Sequence, residues 1–234
     1  MTITPVRLKD PDGRSTEAEA TEARKVLGQL QWLAVLTQVM IMARVSLLMS
    51  EIKPGCDMAK LKEVQEIVCE LRRSTTTTLK IHNMGYVPWQ QVSVVMFADA
   101  SWANREDGSS TGGLLGGFTC MEAEDGATVP ISLARWRSWK LERVARSSNE
   151  AEIQSMTVGE DAAFTLRLLW GEINGAGVKT GFPLSPRAQY VVDMVKSVTA
   201  TDSKGVFDAI NNNESSDLGP VSYTHLTLPT NREV

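Results

Sequence analysis

The stretch Ser93-Val-Val-Met-Phe-Ala-Asp99-Ala-Ser-Trp-Ala103 is the most informative part of this 234-residue chain for predicting its fold class. Its five apolar residues from Val94 to Ala98 are too few for a typical helix and do not alternate with polar ones, so they predict a strand buried on both faces. An ionised carboxylate directly after such a strand is costly unless it meets water, a partner or a cation. Asp99 therefore either opens a turn, a common role of aspartate, or belongs to a site at the edge of a sheet.

Turn signals divide the residues around this strand into short elements. Glu106–Ser110 and Glu122–Gly126 are rich in turn-forming residues, and Ser147 and Ser148 are candidate caps for a long helix. The predicted elements are strands at 79–82, 93–99, 112–120, 128–139 and 190–199, and helices at 148–170 and 206–210. This order predicts an α/β fold with a mixed sheet and helices packed on its faces.

Helical patterns dominate the residues before this sheet. Residues 1–15 are polar and contain prolines, so we expect a disordered lead-in. Helical character then runs from Thr16 to about Ser50, best explained by a pair of core-packed helices, and another helix spans Met58–Arg73. The Ser74–Thr78 run favours extended chain and marks a boundary. The sequence thus predicts a helical segment at 16–77.

The composition is that of an ordinary globular protein, with 42% hydrophobic and 22% charged residues. A net charge of −4 gives no global signal for nucleic acid, so any such surface must be local. The three cysteines and two histidines lack the spacing of a zinc site, and we expect a reducing, intracellular compartment. The apolar stretch Leu30–Met49 carries amides and an arginine that are expensive in lipid, so we expect no membrane partner.

Glu152 heads the apolar face of the long predicted helix. From Glu152, steps of three and four residues reach Met156, Gly159, Ala163, Leu166 and Trp170. From Glu150 the same steps reach mostly polar residues, so Glu150 faces solvent and compensates the helix dipole. Glu152 therefore points towards the sheet, where an unpaired carboxylate is unfavourable. It either reaches water at the helix end, pairs with an arginine such as Arg143, or belongs to a functional site.

Asp202 follows an extended segment and precedes a short predicted helix, so it is either the N-cap of that helix or a third acid of a site. Strand ends and helix starts can meet at one edge of a sheet, which would bring Asp99, Glu152 and Asp202 together. Such carboxylates repel one another unless cations neutralise them, and oxygen-only ligands favour Mg²⁺ or Mn²⁺. Two ions about 3.5–4 Å apart are the arrangement that nucleases use for phosphoryl displacement.

At these residues the chain resembles the RNase H domain of copia-type LTR retrotransposon Pol polyproteins. Phe97-Ala-Asp99-Ala-Ser-Trp-Ala103 is similar to the family's (Y/S)-D-A-D-W-A opening, and Arg146-Ser-Ser-Asn-Glu150-Ala-Glu152 to its L-S-S-T-E-A-E. Thr201-Asp202-Ser203 resembles its third acidic motif. The resemblance implies an RNase H-like fold at 78–219 and two Mg²⁺ (or Mn²⁺) ions on three catalytic residues, namely Asp99, Glu152 and Asp202.

The resemblance extends upstream and has limits downstream. Residues 24–80, with Gly28-Gln-Leu-Gln-Trp-Leu33, look like the segment that connects the polymerase of these elements to RNase H, which makes that polymerase a partner. The family opening has a second aspartate where Ser101 stands. A fourth acid of this group of domains has no counterpart, so the domain is expected to be C-terminally truncated. Residues 220–234 resemble translated adapter sequence, and we expect them to be foreign and disordered.

A basic stretch between the third strand and the long helix suits nucleic acid. Residues 135–146 hold five cations, one anion and two tryptophans. Basic side chains interleaved with aromatic ones can grip phosphates and stack on bases or sugars, but the same pattern also fits a solvated edge with tryptophans in the core. The candidate binding residues are Arg135, Arg137, Trp139, Lys140, Arg143 and Arg146.

These features together predict an endonuclease that cleaves the RNA strand of RNA–DNA hybrids by two-metal-ion hydrolysis, weakly active or inactive if truncated. A second hypothesis is a non-catalytic remnant of a Pol protein that keeps the fold and binds nucleic acid. A transposase or integrase of the same superfold fits less well, because those sites usually end with the glutamate on a late helix. Cleavage of a labelled hybrid distinguishes the first two.

Overall fold

Helices occupy the first part of the chain, and strands follow. The computed structural model describes residues 4–8, 10, 12–74, 78–84, 87–120, 128–175, 186–211 and 225–227. Within them the helices are α1 (Pro5–Leu8), α2 (Glu17–Leu36), α3 (Met42–Glu51), α4 (Met58–Arg73), α5 (Ser148–Ile173), α6 (Pro186–Met194) and α7 (Lys204–Asn211). The strands are β1 (Val92–Ser101), β2 (Thr111–Cys120), β3 (Ser132–Lys140), β4 (Ser197–Ala200) and β5 (His225–Thr227). The chain is therefore an α/β protein, as its sequence predicts.

The chain forms two compact units. A helical unit comprises Met1–Leu79 with two short segments, Arg105–Gly108 and Arg137–Lys140. A sheet unit comprises the residues between and after them, namely Lys80–Asn104, Ser109–Trp136 and Leu141–Val234. The sequence prediction placed a boundary between residues 77 and 78.

The helical unit begins earlier than the sequence predicts. Residues 1–15 were expected to be disordered, yet α1 forms and Leu8 is only 7% exposed. Arg7 explains the order, because its Nε donates to Glu19 Oε1 at 3.1 Å from the first turn of α2. Thr16 and Glu19 also form a capping box at the start of α2. The expectation of disorder is therefore wrong for the described part of this segment.

The sheet unit is built around β1. The strand order is β3-β2-β1-β4-β5, with β1 antiparallel to β2 and parallel to β4. Val92 to Met96 are buried, as a central strand requires, whereas Phe97 is 44% exposed near the strand end. The sheet is thus mixed, with the apolar run of the opening stretch at its centre.

Helix α5 packs closely on β1. The predicted apolar face is buried, with Met156, Ala163 and Leu166 each at most 5% exposed. A Cβ added at Gly159 would lie 3.0 Å from the Cβ of Ala98, so glycine lets the helix backbone approach the strand. The face beginning at Glu150 carries exposed residues such as Asp161. The side of the helix predicted to face the sheet is therefore confirmed.

The strand predicted at 79–82 does not form in the described structure. The backbone N–H of His82 instead donates to the Ser132 side chain at 2.9 Å. The strand predicted at 190–199 is also wrong in its first half, because α6 runs to Met194 and β4 starts only at Ser197. Arg167 of α5 accounts for this difference: its buried guanidinium donates to carbonyl oxygens near the end of α6.

The C-terminal stretch 220–234 was expected to be disordered. Three of its residues, in β5, pair in parallel with β4. The expectation does not hold for these three, and the other residues of the stretch lie outside the described residues. A short helix was predicted at 206–210. Helix α7, from Lys204 to Asn211, covers this range and confirms the prediction.

Candidate metal centre

Three carboxylates that are far apart in sequence meet in the sheet unit. Asp99, Glu152 and Asp202 each offer one oxygen atom, and these atoms all lie within 4.8 Å of one another. Asp99 and Asp202 are exposed, whereas Glu152 is 8% exposed. The structure thus brings together the three acidic residues that the sequence singles out, in a group that could hold a metal ion.

The register of β1 and β4 brings the two aspartates together. Phe97 pairs with Ala200 in this parallel ladder, so the partners differ by 103 in residue number. Asp99 lies two residues beyond Phe97, and Asp202 lies two residues beyond Ala200, so the two aspartates keep the same offset. Neighbouring parallel strands are about 4.8 Å apart, so this register places the two aspartates side by side.

Helix α5 supplies the buried glutamate and is anchored to the end of β1. The Ser147 side chain caps the helix by accepting from the Glu150 N–H. One turn beyond Glu152, the buried hydroxyl of Ser155 lies 2.7 Å from the carbonyl oxygen of Asp99 and 3.1 Å from that of Gly113. Because Ser155 links the helix to the Asp99 backbone, it holds Glu152 and Asp99 at a defined separation.

Asp202 is not the cap of the helix that follows it. That role belongs to Ser203, whose carbonyl oxygen accepts from the Phe207 N–H at 3.0 Å and whose hydroxyl lies 3.4 Å from the Val206 N. The capping interpretation of Asp202 is therefore wrong. With the cap supplied by its neighbour, the Asp202 carboxylate is left for the acidic group.

A glycine allows α7 to start close to α5. A Cβ added at Gly205 would lie 2.6 Å from Oδ1 of Asn149, a residue in the first turn of α5. Any larger residue at 205 would therefore require the Asn149 side chain to move. The close approach keeps the segment that carries Asp202 near the helix that carries Glu152.

Burial and charge act in the same direction on Glu152. Burial, and after it the nearby carboxylates of Asp99 and Asp202, together raise the pKa of Glu152 to about 7, against a smaller lowering by the backbone N–H of Ala100. Its Oε2 atom is buried without a hydrogen-bond partner. A buried oxygen without a partner, facing two more carboxylates, is satisfied by a cation, so the donor set fits a metal ion.

The predicted nucleic-acid-binding residues divide into exposed cations and one buried ring. The exposed residues are Arg135, Arg137, Lys140, Arg143 and Arg146. Trp139 is only 8% exposed, with the guanidinium of Arg137 5.0 Å from its ring centroid. Trp139 is therefore a core residue and its ring is not available to stack on a base, which corrects the prediction for this residue.

Two of these cations belong to a different compact unit from the carboxylates. Arg137 and Lys140 lie in the 137–140 segment of the helical unit, where Lys140 forms an ion pair with Asp107. Arg135, Arg143 and Arg146 belong to the sheet unit. These last three are the cations that share a unit with the acidic group.

Sequence reasoning missed two residues near the acidic group. Ser155 gave no signal, because a serine on a helix face is ordinary until its partner is known. Trp102 belongs to the stretch 93–103 and is 50% exposed. Its position directly after a buried strand was the sequence feature that could have identified it as a candidate site residue.

Comparison of the chain with protein-family models, with curated proteins and with solved structures finds no match. Among the residues that the structure describes, every helix is too short or too polar to cross a membrane. The acidic group and the fold around it are therefore the basis for assigning a function.

Proposed function

We propose that the protein is an RNase H-type endonuclease that hydrolyses the RNA strand of RNA–DNA hybrids. The observation that carries this proposal is the meeting of Asp99, Glu152 and Asp202 at the ends of a parallel strand pair and the start of a helix. The mixed sheet with α5 packed on its central strand supports the RNase H-like fold that the copia-type resemblance implies. The same resemblance makes the chain part of a retrotransposon Pol polyprotein, with the polymerase as its partner.

The three carboxylates would hold Mg²⁺ or Mn²⁺. Their donors are all oxygen atoms, which suit hard divalent cations better than zinc or copper. Two such ions would supply activation of the attacking water and neutralisation of charge on the leaving 3′ oxygen. A single ion would leave part of the charge on the leaving 3′ oxygen uncompensated, so we propose two ions.

The residues of the chain itself position the reaction. Asp99 and Asp202 offer exposed oxygens to solvent and substrate, and Glu152 reaches them from the buried side. Ser155 keeps the helix at its distance from β1. Exposed cations of the sheet unit, Arg143 and Arg146, would contact the phosphates of the hybrid.

Cleavage of a labelled RNA–DNA hybrid by the full chain tests the proposal. We expect Mg²⁺-dependent cleavage that EDTA abolishes and that Asp99→Asn lowers by more than about 100-fold, because the loss of a group that merely supports a metal ligand already costs about 10- to 100-fold. Asp161→Asn is the matched control, since Asp161 is an exposed acid on the opposite face of α5. It should cleave like the unaltered chain.

The outcome also separates the two hypotheses. Cleavage that survives Asp99→Asn would defeat the catalytic assignment. Binding of the hybrid without cleavage at any Mg²⁺ or Mn²⁺ concentration would favour the non-catalytic Pol remnant, for which the serine at position 101, in place of the family's second aspartate, is the supporting observation.

A further inference from the structure

Trp102 is a half-exposed indole that closely follows Asp99 in the chain. It lies three residues beyond Asp99, so their Cα atoms are at most about 11 Å apart, and its side chain is 50% exposed. We infer that Trp102 is a sequence-independent nucleic-acid contact, which packs the face of its ring on a sugar or base next to the cleaved phosphate. This inference rests on the proposed function and adds a residue to its substrate surface.

The ring is held in place before any ligand binds. Its Nε1–H donates to the carbonyl oxygen of Ala145 at 2.9 Å. The backbone turns sharply just after it, at Ala103, which has a positive φ of 49° and donates its N–H to Ser110 Oγ at 3.0 Å. A side chain fixed in this way loses little conformational entropy on binding, so its contact area contributes efficiently to affinity.

The segment that holds the ring is positively charged. Ala145 lies between Arg143 and Arg146, whose guanidinium groups are exposed and have no carboxylate partner among the described residues. Exposed cations next to a fixed aromatic face match a polyanion that carries stackable rings or sugars. An apolar protein partner would not need those charges, so the surface favours nucleic acid.

The hydrogen bond to Ala145 limits what Trp102 can recognise. The indole has a single polar donor, and that donor is already used. Only the face and edge of the ring remain for the ligand, and every nucleotide offers a comparable apolar or π surface. Trp102 should therefore add affinity without discriminating between base sequences.

Equilibrium binding of the full chain to fluorescently labelled RNA–DNA hybrids tests the inference. Two hybrids of different sequence and equal length are titrated in buffer without divalent cations, so that binding is measured without cleavage. Loss of one stacking contact predicts that Trp102→Ala raises Kd about tenfold for both hybrids. Trp102→Phe keeps a ring and should recover most of the affinity.

A second readout reports on contact rather than on folding. Binding of the hybrid should quench the intrinsic tryptophan fluorescence of the unaltered chain, and Trp102→Phe should lose most of that quenching. Trp32→Ala is the matched control, because Trp32 is 66% exposed but lies on α2 in the helical unit. It should leave both Kd and quenching unchanged.

The results separate this inference from the proposed function. A chain that binds hybrids through Trp102 but does not cleave them would retain the inference and remove the nuclease. Unchanged binding by Trp102→Ala, an effect confined to one of the two sequences, or no binding by the unaltered chain would each overturn the inference.

Discussion

Replacing Glu152 by glutamine should stabilise the metal-free protein at alkaline pH. The glutamate is buried and faces two carboxylates, which together raise its pKa from 4.5 to about 7. At 1.36 kcal/mol per pH unit, this corresponds to about 3 kcal/mol of free energy of unfolding. Glutamine has nearly the same shape, carries no charge and can donate to an oxygen of Asp99.

The sign of the effect follows from proton binding. Between pH 4.5 and about 7 the folded state keeps a proton on Glu152 that the unfolded state has lost. The free energy of unfolding of the unaltered chain therefore falls as the pH rises through this window. Glu152→Gln should match the unaltered chain near pH 4.5 and exceed it by about 3 kcal/mol at pH 8.

Denaturant unfolding at the two pH values measures this difference. The chain has two compact units, so the overall unfolding signal can combine both. Hydrogen exchange of the β1 and β4 amides should therefore be measured as well, because it reports the stability of the sheet unit alone. For a chain of this size, 3 kcal/mol corresponds to roughly 6–12 °C in Tm. Added Mg²⁺ should stabilise the unaltered chain and have little effect on Glu152→Gln.

The matched control is Glu150→Gln in the same helical turn. Glu150 is half-buried and accepts a hydrogen bond from the Arg146 N–H at 2.8 Å at the start of α5. Its replacement should change stability by less than about 1 kcal/mol, and in the destabilising direction. A loss of stability in Glu152→Gln at pH 8, or a gain of equal size at pH 4.5, would refute the electrostatic account of the site.

Three further predictions concern the acidic group, the serine that anchors α5 and the approach of β2 to β3. Glu152 must lose its proton to bind a cation, so its affinity for Mg²⁺ should fall by up to about tenfold for each pH unit below 7. Calorimetry measures this affinity, and an affinity that stays constant with pH would count against Glu152 as a ligand. Ser155→Ala removes a buried hydroxyl that lies within hydrogen-bond distance of two carbonyl oxygens, and it should cost about 1–3 kcal/mol in urea unfolding. The exposed Thr157→Ala should cost less than about 1 kcal/mol, and equal costs would contradict the anchoring role. A Cβ at Gly117 would overlap a backbone carbonyl of β3, so Gly117→Ala should destabilise the sheet unit by about 2 kcal/mol or more, while Gly113→Ala, with its nearest contact at 3.8 Å, should be tolerated sterically.

Local patterns predicted the elements that depend on local chemistry. The apolar run of β1, the two strand-end aspartates and the helical face of Glu152 follow from the period of side-chain direction along strands and helices. The Ser147 cap is likewise a short-range interaction, and the sequence predicted it correctly. The sequence did not correctly predict elements whose ends depend on distant partners. The end of α6 depends on Arg167, a residue of another helix, and the order of α1 depends on its ion pair with Glu19.

Sequence patterns identified the acids, their order along the chain, and the face of α5 on which Glu152 lies. They could not show that the oxygens meet within 4.8 Å, because that distance depends on the register of β1 with β4 and on the close approach of α5. The folded chain also shows which tryptophan is available to a ligand: Trp139 is buried, whereas Trp102 is half-exposed. Exposure depends on what packs over a side chain, and residues far along the chain supply that packing.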